Sequence, residues 1–318
     1  MPAVTLPARP EVTDRRRKIR TCHFSCPGRT IWQSAGKRTT NAFARSKPMV
    51  MSLICWNVSP ELFKVGPLTV RWYGTFFALA FVAGYLIVRW EFRAENKSES
   101  DLDSLFLYMM IGTVAGARLG HCLFYQPAYY WNHPLEIFEF WEGGLASHGG
   151  AAGILIALFF YGRRRPDQPY LWLLDRIVVP AALAGCSIRL GNLFNSEILG
   201  RPAGVPWAFA FVRVDSVPRH PVQLYEAIGY ALIFVLLLVL YRRLRAQTPK
   251  GLLTGLFLVG VFTFRFLIEF LKQRQADYEQ NLPLSVGQWL SIPFVVVGAV
   301  LLWRAVRAGR IRRFHSSE

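Results

Sequence analysis

Seven apolar stretches, each bounded by polar residues, run along the chain from residue 70 onward. They cover about 70–88, 105–125, 147–162, 171–194, 224–240, 252–271 and 286–306. Most approach the ~20 residues that a helix needs to cross hydrocarbon, and few charges interrupt them. The pattern predicts an all-α polytopic membrane protein of seven transmembrane helices. Between the fourth and fifth stretches lies the longest aromatic-rich connection, 195–221. Its Gly-Pro turns and the alternation Trp207-Ala208-Phe209-Ala210-Phe211 read as a small extracytoplasmic head containing a strand.

The connections sort by charge. Those after stretches one, three, five and seven carry Arg89, Arg93 and Lys97; Arg163, Arg164 and Arg165; Arg242, Arg243, Arg245 and Lys250; and the C-terminal arginines from Arg304 to Arg313. Those after two and four carry aromatics and acids, among them Tyr129, Tyr130, Trp131, Glu136, Trp207 and Asp215. The connection after six is mixed. Cytoplasmic loops carry the excess of Lys and Arg, so the N-terminus is expected outside and the C-terminus in the cytoplasm.

Residues 1–50 break the pattern, being polar, basic and without helical period. They read as a disordered basic extension, a targeting segment, or sequence upstream of a mis-called start. A basic tail outside the membrane opposes the charge rule, which favours a start at Met49 or Met51. Residues 51–318 are then the seven-helix domain.

Composition agrees with a membrane protein: 53% of residues are hydrophobic, with 24 Phe and 10 Trp. The net charge of +17 could serve nucleic acid or anionic lipid. Because the cations flank apolar stretches, lipid and topology are the reading, and no nucleic acid is expected. The five cysteines show no paired spacing, so neither a structural disulfide nor a zinc site is expected.

Polar groups inside the apolar stretches carry the functional signal, because ionisable groups in a bilayer are costly and mark substrate paths. Arg118 sits in the second stretch, Arg189 ends the fourth with Asn192, Asn195 and Glu197, and the sixth holds Arg265 and Glu269 on one face. His148 and Gly149-Gly150 open the third, and Tyr73 lies near the start of the first. Each has a plainer explanation. Arg189 could snorkel, Arg265 and Glu269 could form a packing ion pair, Tyr73 could anchor the interface, and the glycines could permit close helix packing. Together they describe a polar chamber. Arginines in low dielectric suit a phosphate, which in a membrane is a lipid headgroup. Histidine can take a proton near neutral pH. No GxSxG or HExxH motif occurs and no acid–histidine set resembles a metal cage, so no metal or cofactor is expected.

Several motifs then point to one family. Trp141-Glu142-Gly143-Gly144 with Ser147-His148-Gly149-Gly150, and Arg189-Leu190-Gly191-Asn192-Leu193-Phe194-Asn195-Ser196-Glu197 with Gly200-Arg201, resemble bacterial prolipoprotein diacylglyceryl transferases. So do Pro218-Arg219-His220-Pro221-Val222-Gln223-Leu224-Tyr225-Glu226, Phe264-Arg265 with Glu269, Val70-Arg71-Trp72-Tyr73-Gly74 and Ser285-Val286-Gly287-Gln288. The resemblance spans residues 60–304 in one order. It implies a multi-pass protein of the bacterial inner membrane that moves the sn-1,2-diacylglyceryl group of phosphatidylglycerol to the lipobox cysteine of a prolipoprotein signal peptide. A thioether forms and glycerol 1-phosphate leaves. By position it implies Arg189 and Arg265 as essential arginines, the former binding phosphatidylglycerol, and His148 as base. Tyr73, Asn192, Asn195, Glu197, Gly200 and Glu269 would serve binding or architecture. A transporter or channel for an anionic solute is the alternative, and a protein that merely holds anionic lipid is a third reading.

Overall fold

The structure is a computed structural model that describes residues 54–66, 68–139, 144–274 and 283–315. The expectations for residues 1–50 lie outside the described residues, as do those for residues 140–143.

A short strand, β1 (Ile54–Trp56), leads to the hairpin β2 (Glu61–Val65) and β3 (Leu68–Arg71). Helix α1 (Trp72–Ala94) follows directly, and α2 (Glu99–Phe124) begins where Ser98 accepts a hydrogen bond from the Ser100 amide at 3.2 Å. Glu99 and Asp101 in its first turn suit the positive end of the helix. The short α3 (Pro127–Asn132) and a 3-10 turn (Pro134–Phe138) lead to α4 (Ser147–Arg163). Then come α5 (Tyr170–Asn195), strands β4 (Phe209–Phe211) and β5 (Pro218–Arg219), α6 (Val222–Leu244), α7 (Leu252–Ile268) and α8 (Val286–His315).

The protein is a mostly helical, multi-pass membrane protein. Among the described residues six helices are long and apolar enough to cross a bilayer: α1, α2, α5, α6, α7 and α8. The stretch expected to supply the third span forms α4, which has 17 residues. To this helical body the structure adds two small sheets. The strand expected near Trp207–Phe211 is β4, and it pairs with β5 and, in parallel, with β1. The partnership with β1 was not visible in the pattern.

Two kinds of packing hold the helices. Helices α2 and α4 meet along glycines, Gly112, Gly116 and Gly120 facing Gly149 and Gly153. A methyl group added at Gly153 would lie 2.0 Å from the Gly112 carbonyl oxygen, so the backbones touch and only glycine fits. This is the packing reading of Gly116 and Gly149. Elsewhere α1, α5, α6 and α7 enclose large side chains, with Val179, Leu237, Tyr241 and Leu253 fully buried.

A polar lock sits among them near the N-terminal end of α5. Arg176, 1% exposed, makes a two-oxygen ion pair with Glu95 at 2.7 and 2.9 Å. Trp172 Nε1 and the Tyr241 hydroxyl donate to the same carboxylate. Asp175, beside it, caps α7 from another helix, accepting the Gly251 and Thr254 amides at 2.6 and 2.9 Å. The end of α8 nearest the site carries its own cap. Ser285 and Gln288 exchange backbone and side-chain hydrogen bonds at 3.0 and 3.2 Å, a reciprocal capping box. The cysteine expectation needs one correction. Cys55 is disulfide-bonded, while Cys122 and Cys186 are free. Spacing in sequence does not distinguish a paired cysteine from a free one.

Candidate functional site

The last two turns of α5 build the centre. Arg189 and Asn192 are three residues apart and share a face, and Arg189 Nη1 donates to Asn192 Oδ1 at 3.3 Å. The helix stops at Ser196, whose left-handed backbone (φ 56°) turns the chain, and the Glu197 amide closes the end on the Asn192 carbonyl. The turn brings Glu197 Oε1 back to Asn192 Nδ2 at 2.7 Å and Asn195 Nδ2 at 3.3 Å. Gln223 of α6 fixes the turn from the other side by donating to the Glu197 carbonyl at 2.7 Å. Tyr73 of α1 lies against Gly191, where an added methyl would meet its ring at 2.7 Å. Its hydroxyl feels both Glu197 and Arg189.

A line of alternating charge continues from Arg189. Its Nε sits 3.1 Å from Glu226 Oε2 of α6. Glu226 is fully buried, and its other oxygen meets Lys272 Nζ at 2.9 Å. Lys272, itself 6% exposed, also reaches Glu269 at 3.2 Å. Glu269 stands in the 3-10 turn that follows α7 and packs against Gly287 at the start of α8. Four groups from three segments are thus joined in the order cation, anion, cation, anion.

Arg265 lies one turn before Glu269. The packing ion pair that was the plainer explanation does not form among the described residues, where Glu269 meets Lys272 instead. Among the described residues Arg265 has no ion-pair partner, and its charge acts on the Tyr230 hydroxyl, which Arg189 also influences. Both arginines therefore border one tyrosine.

Gly200 anchors the segment above. Its backbone bridges Lys272, and an added methyl would lie 2.3 Å from the His220 carbonyl oxygen. Arg219 bonds the Gly200 carbonyl, Gln273 and Asp215. The Arg219 hydrogen bond holds the Asp215 carboxyl below its usual range. Trp56 of β1 closes the arrangement by donating to the Leu193 carbonyl at 3.1 Å and stacking on Phe209.

Two expected members make no direct contact with this charge line among the described residues. His148 is exposed at the start of α4, its ring beside Phe124 and Tyr125. Among the described residues no hydrogen bond, ion pair or ring contact joins it to Arg189, Arg265, Glu226 or Lys272. Arg118 is buried and donates to the carbonyls of Glu136 and Ile137, so it holds the turn after α3. Conversely, Glu226 and Lys272 were not singled out as site residues. The signals available were a carboxylate opening an apolar stretch and a lysine three residues after Glu269.

The comparisons with known proteins bear on this arrangement. The family model for prolipoprotein diacylglyceryl transferase matches residues 60–304. The chain belongs to that family. A phosphatidylglycerol–prolipoprotein diacylglyceryl transferase of Chloroherpeton thalassium is 55% identical over 262 residues, covering 82% of this chain and 98% of that protein. Relatives of the same name from Tolumonas auensis and Bacteroides fragilis are 50% and 43% identical, covering 79% of this chain and 96% and 94% of theirs. The matched region contains every site residue named above except Trp56. In this transferase family member, the guanidinium of Arg189 is held at Nε and Nη1, which fixes its plane.

Proposed function

We propose that the chain transfers the sn-1,2-diacylglyceryl group of phosphatidylglycerol to the lipobox cysteine of a prolipoprotein signal peptide. The cysteine sulfur attacks the glycerol carbon that bears the phosphate. The carbon–sulfur bond forms, the carbon–oxygen bond breaks, and glycerol 1-phosphate leaves with the electron pair. The thiol proton passes to a base, which we assign to His148. Arg189 binds the phosphodiester and, with Arg265, neutralises charge as it grows on the leaving oxygen. Tyr73, Asn192, Asn195, Glu197, Gly200 and Glu269 shape and hold that site.

The observation that carries this reading is the pair of arginines around Tyr230, one locked in orientation and the other without a counter-ion among the described residues. A guanidinium fork in low dielectric suits a phosphodiester.

The protein would lie in the bacterial inner membrane with its N-terminus outside and C-terminus in the cytoplasm, residues 51–318 forming the transferase domain. Seven crossings are supported by a parity argument. Strands β1 and β4 pair, so they share one side of the membrane. An even number of crossings must separate them, which α1, α2, α4 and α5 supply and which three helices could not. At 1.5 Å per residue the 17 residues of α4 span about 26 Å, short but within the usual range. The residues 195–221, with β1, would form the extracytoplasmic head.

The test uses purified protein, labelled phosphatidylglycerol and a lipobox peptide. Glycerol 1-phosphate and a mass-shifted peptide are expected. Folded protein that yields neither would refute the transferase activity and favour transport or lipid holding. Arg189→Ala and Arg265→Ala should abolish turnover, and lysine at either position should restore little, because a point charge lacks the planar fork. His148→Gln with unchanged turnover and pH profile would remove the base from His148.

A further inference from the structure

At the far end of α5 from Arg189, three consecutive arginines close α4, and they have different fates. Arg163 stacks on Phe159 of its own helix, 5.6 Å from the ring centre. Arg165 pairs with Asp101 at 2.6 Å. Arg164 is exposed and donates to the Tyr108 hydroxyl at 2.6 Å, and among the described residues it has no carboxylate partner. Arg164, Arg165, Tyr161, Tyr108 and Ser104 line a cavity of about 170 Å³. Tyr161 is already committed, donating to the Asp101 carbonyl and Gln168. That leaves one uncompensated guanidinium and two hydroxyls, from Tyr108 and Ser104, facing a space larger than a phosphate.

The surface beyond the cavity is apolar. On α2, Leu107 and Ile111 continue the line of Ser104 and are 58% and 60% exposed. On α4, Phe160 and Ile156 lie four and eight residues before Arg164, on its stripe, and each is 57% exposed. The two helices pack side by side, so the stripes run away from the cavity together. Arg189 stands 19 residues beyond Tyr170, which starts α5 just after this loop, or about 28 Å along the helix axis. That distance matches the hydrocarbon thickness of a bilayer.

We propose that this cavity binds the phosphate of an anionic phospholipid lying in the leaflet opposite the Arg189 cluster. The acyl chains follow Leu107, Ile111, Ile156 and Phe160. The fork of Arg164 takes the phosphate oxygens and the Tyr108 hydroxyl orients the fork. This lipid is distinct from the substrate bound at Arg189, and the proposal does not depend on the transfer reaction.

The test reconstitutes the full chain in phosphatidylcholine vesicles containing phosphatidic acid with a photoreactive diazirine in an acyl chain. After irradiation, labelled peptides should map to residues 105–112 and 155–161. Arg164→Gln should lower that labelling about tenfold, the scale of a lost charge-assisted hydrogen bond. Tyr108→Phe should lower it less, and Arg189→Ala should leave it unchanged. Equal labelling by a phosphatidylcholine probe, or undiminished labelling of the Arg164→Gln protein, would overturn the proposal. Displacement of the probe by millimolar inorganic phosphate would make this a free-anion site and overturn its assignment to lipid.

Discussion

Glu226 holds two cations at once, and its removal would expose what it does. With its carboxylate gone, Arg189 loses its one ion-pair partner among the described residues and Lys272 keeps only Glu269. Glu226→Ala should cost roughly 3–5 kcal/mol of stability, the usual result of breaking a buried pair from one side. The double variant Glu226→Gln, Lys272→Met, which removes both charges, should recover much of the thermal stability but little turnover. Thermal unfolding in detergent and the glycerol 1-phosphate assay separate the two effects. If both recovered together, the charge line would be scaffolding alone. Arg189 was legible in the sequence because a cation followed by amides at the end of an apolar stretch has few uses. Lys272 was not, since its mixed loop gives no hint that the side chain folds inward. Arg265 and Glu269 show the limit of helical periodicity. It places two residues on one face, but a third residue three positions on can take the partner. Arg176, the most deeply buried arginine among the described residues, was also passed over, because a cation near the start of an apolar stretch looks like a snorkelling one.

At the level of elements, the seam between α2 and α4 has no slack. Gly153→Ala should destabilise the protein by about 1–3 kcal/mol through overpacking, and Gly153→Val by more. Gly74, where an added methyl meets nothing within 4 Å, is the control, and its alanine variant should unfold near the parent temperature. Comparable losses at both positions would mean that helix propensity rather than the seam is responsible. The helices themselves were readable from apolar runs, and their starts fit ordinary capping chemistry at Ser98 and Ser285. The reach of Asp175 from α5 to the first turn of α7 was not readable, because nothing in a local pattern names a cap that lies on another helix. The sheet behaves likewise. The alternation 207–211 announces a strand, but its partner β1 precedes all the helices.

For the whole molecule, the two ends of α6 offer the sharpest check of orientation. Ser216 and Gln247 are both exposed and lie beyond opposite ends of that helix. In intact spheroplasts, an impermeant maleimide should label Ser216→Cys and spare Gln247→Cys until the cells are opened. The reverse pattern would invert the topology read from the loop arginines. The pairing of β1 with β4 also carries a timetable. Trp56 and Phe211 are partners some 155 residues apart. At ordinary translation rates of about 5–20 residues per second, β1 waits about 8–30 s for its neighbour to be made. Throughout that interval its edge is unpaired, and for most of it Trp56 has no Leu193 carbonyl to bond. The roof over the Arg189 site is therefore finished only after α1 to α5 have been made, and a nascent chain halted before β4 would carry an open edge and an uncovered site.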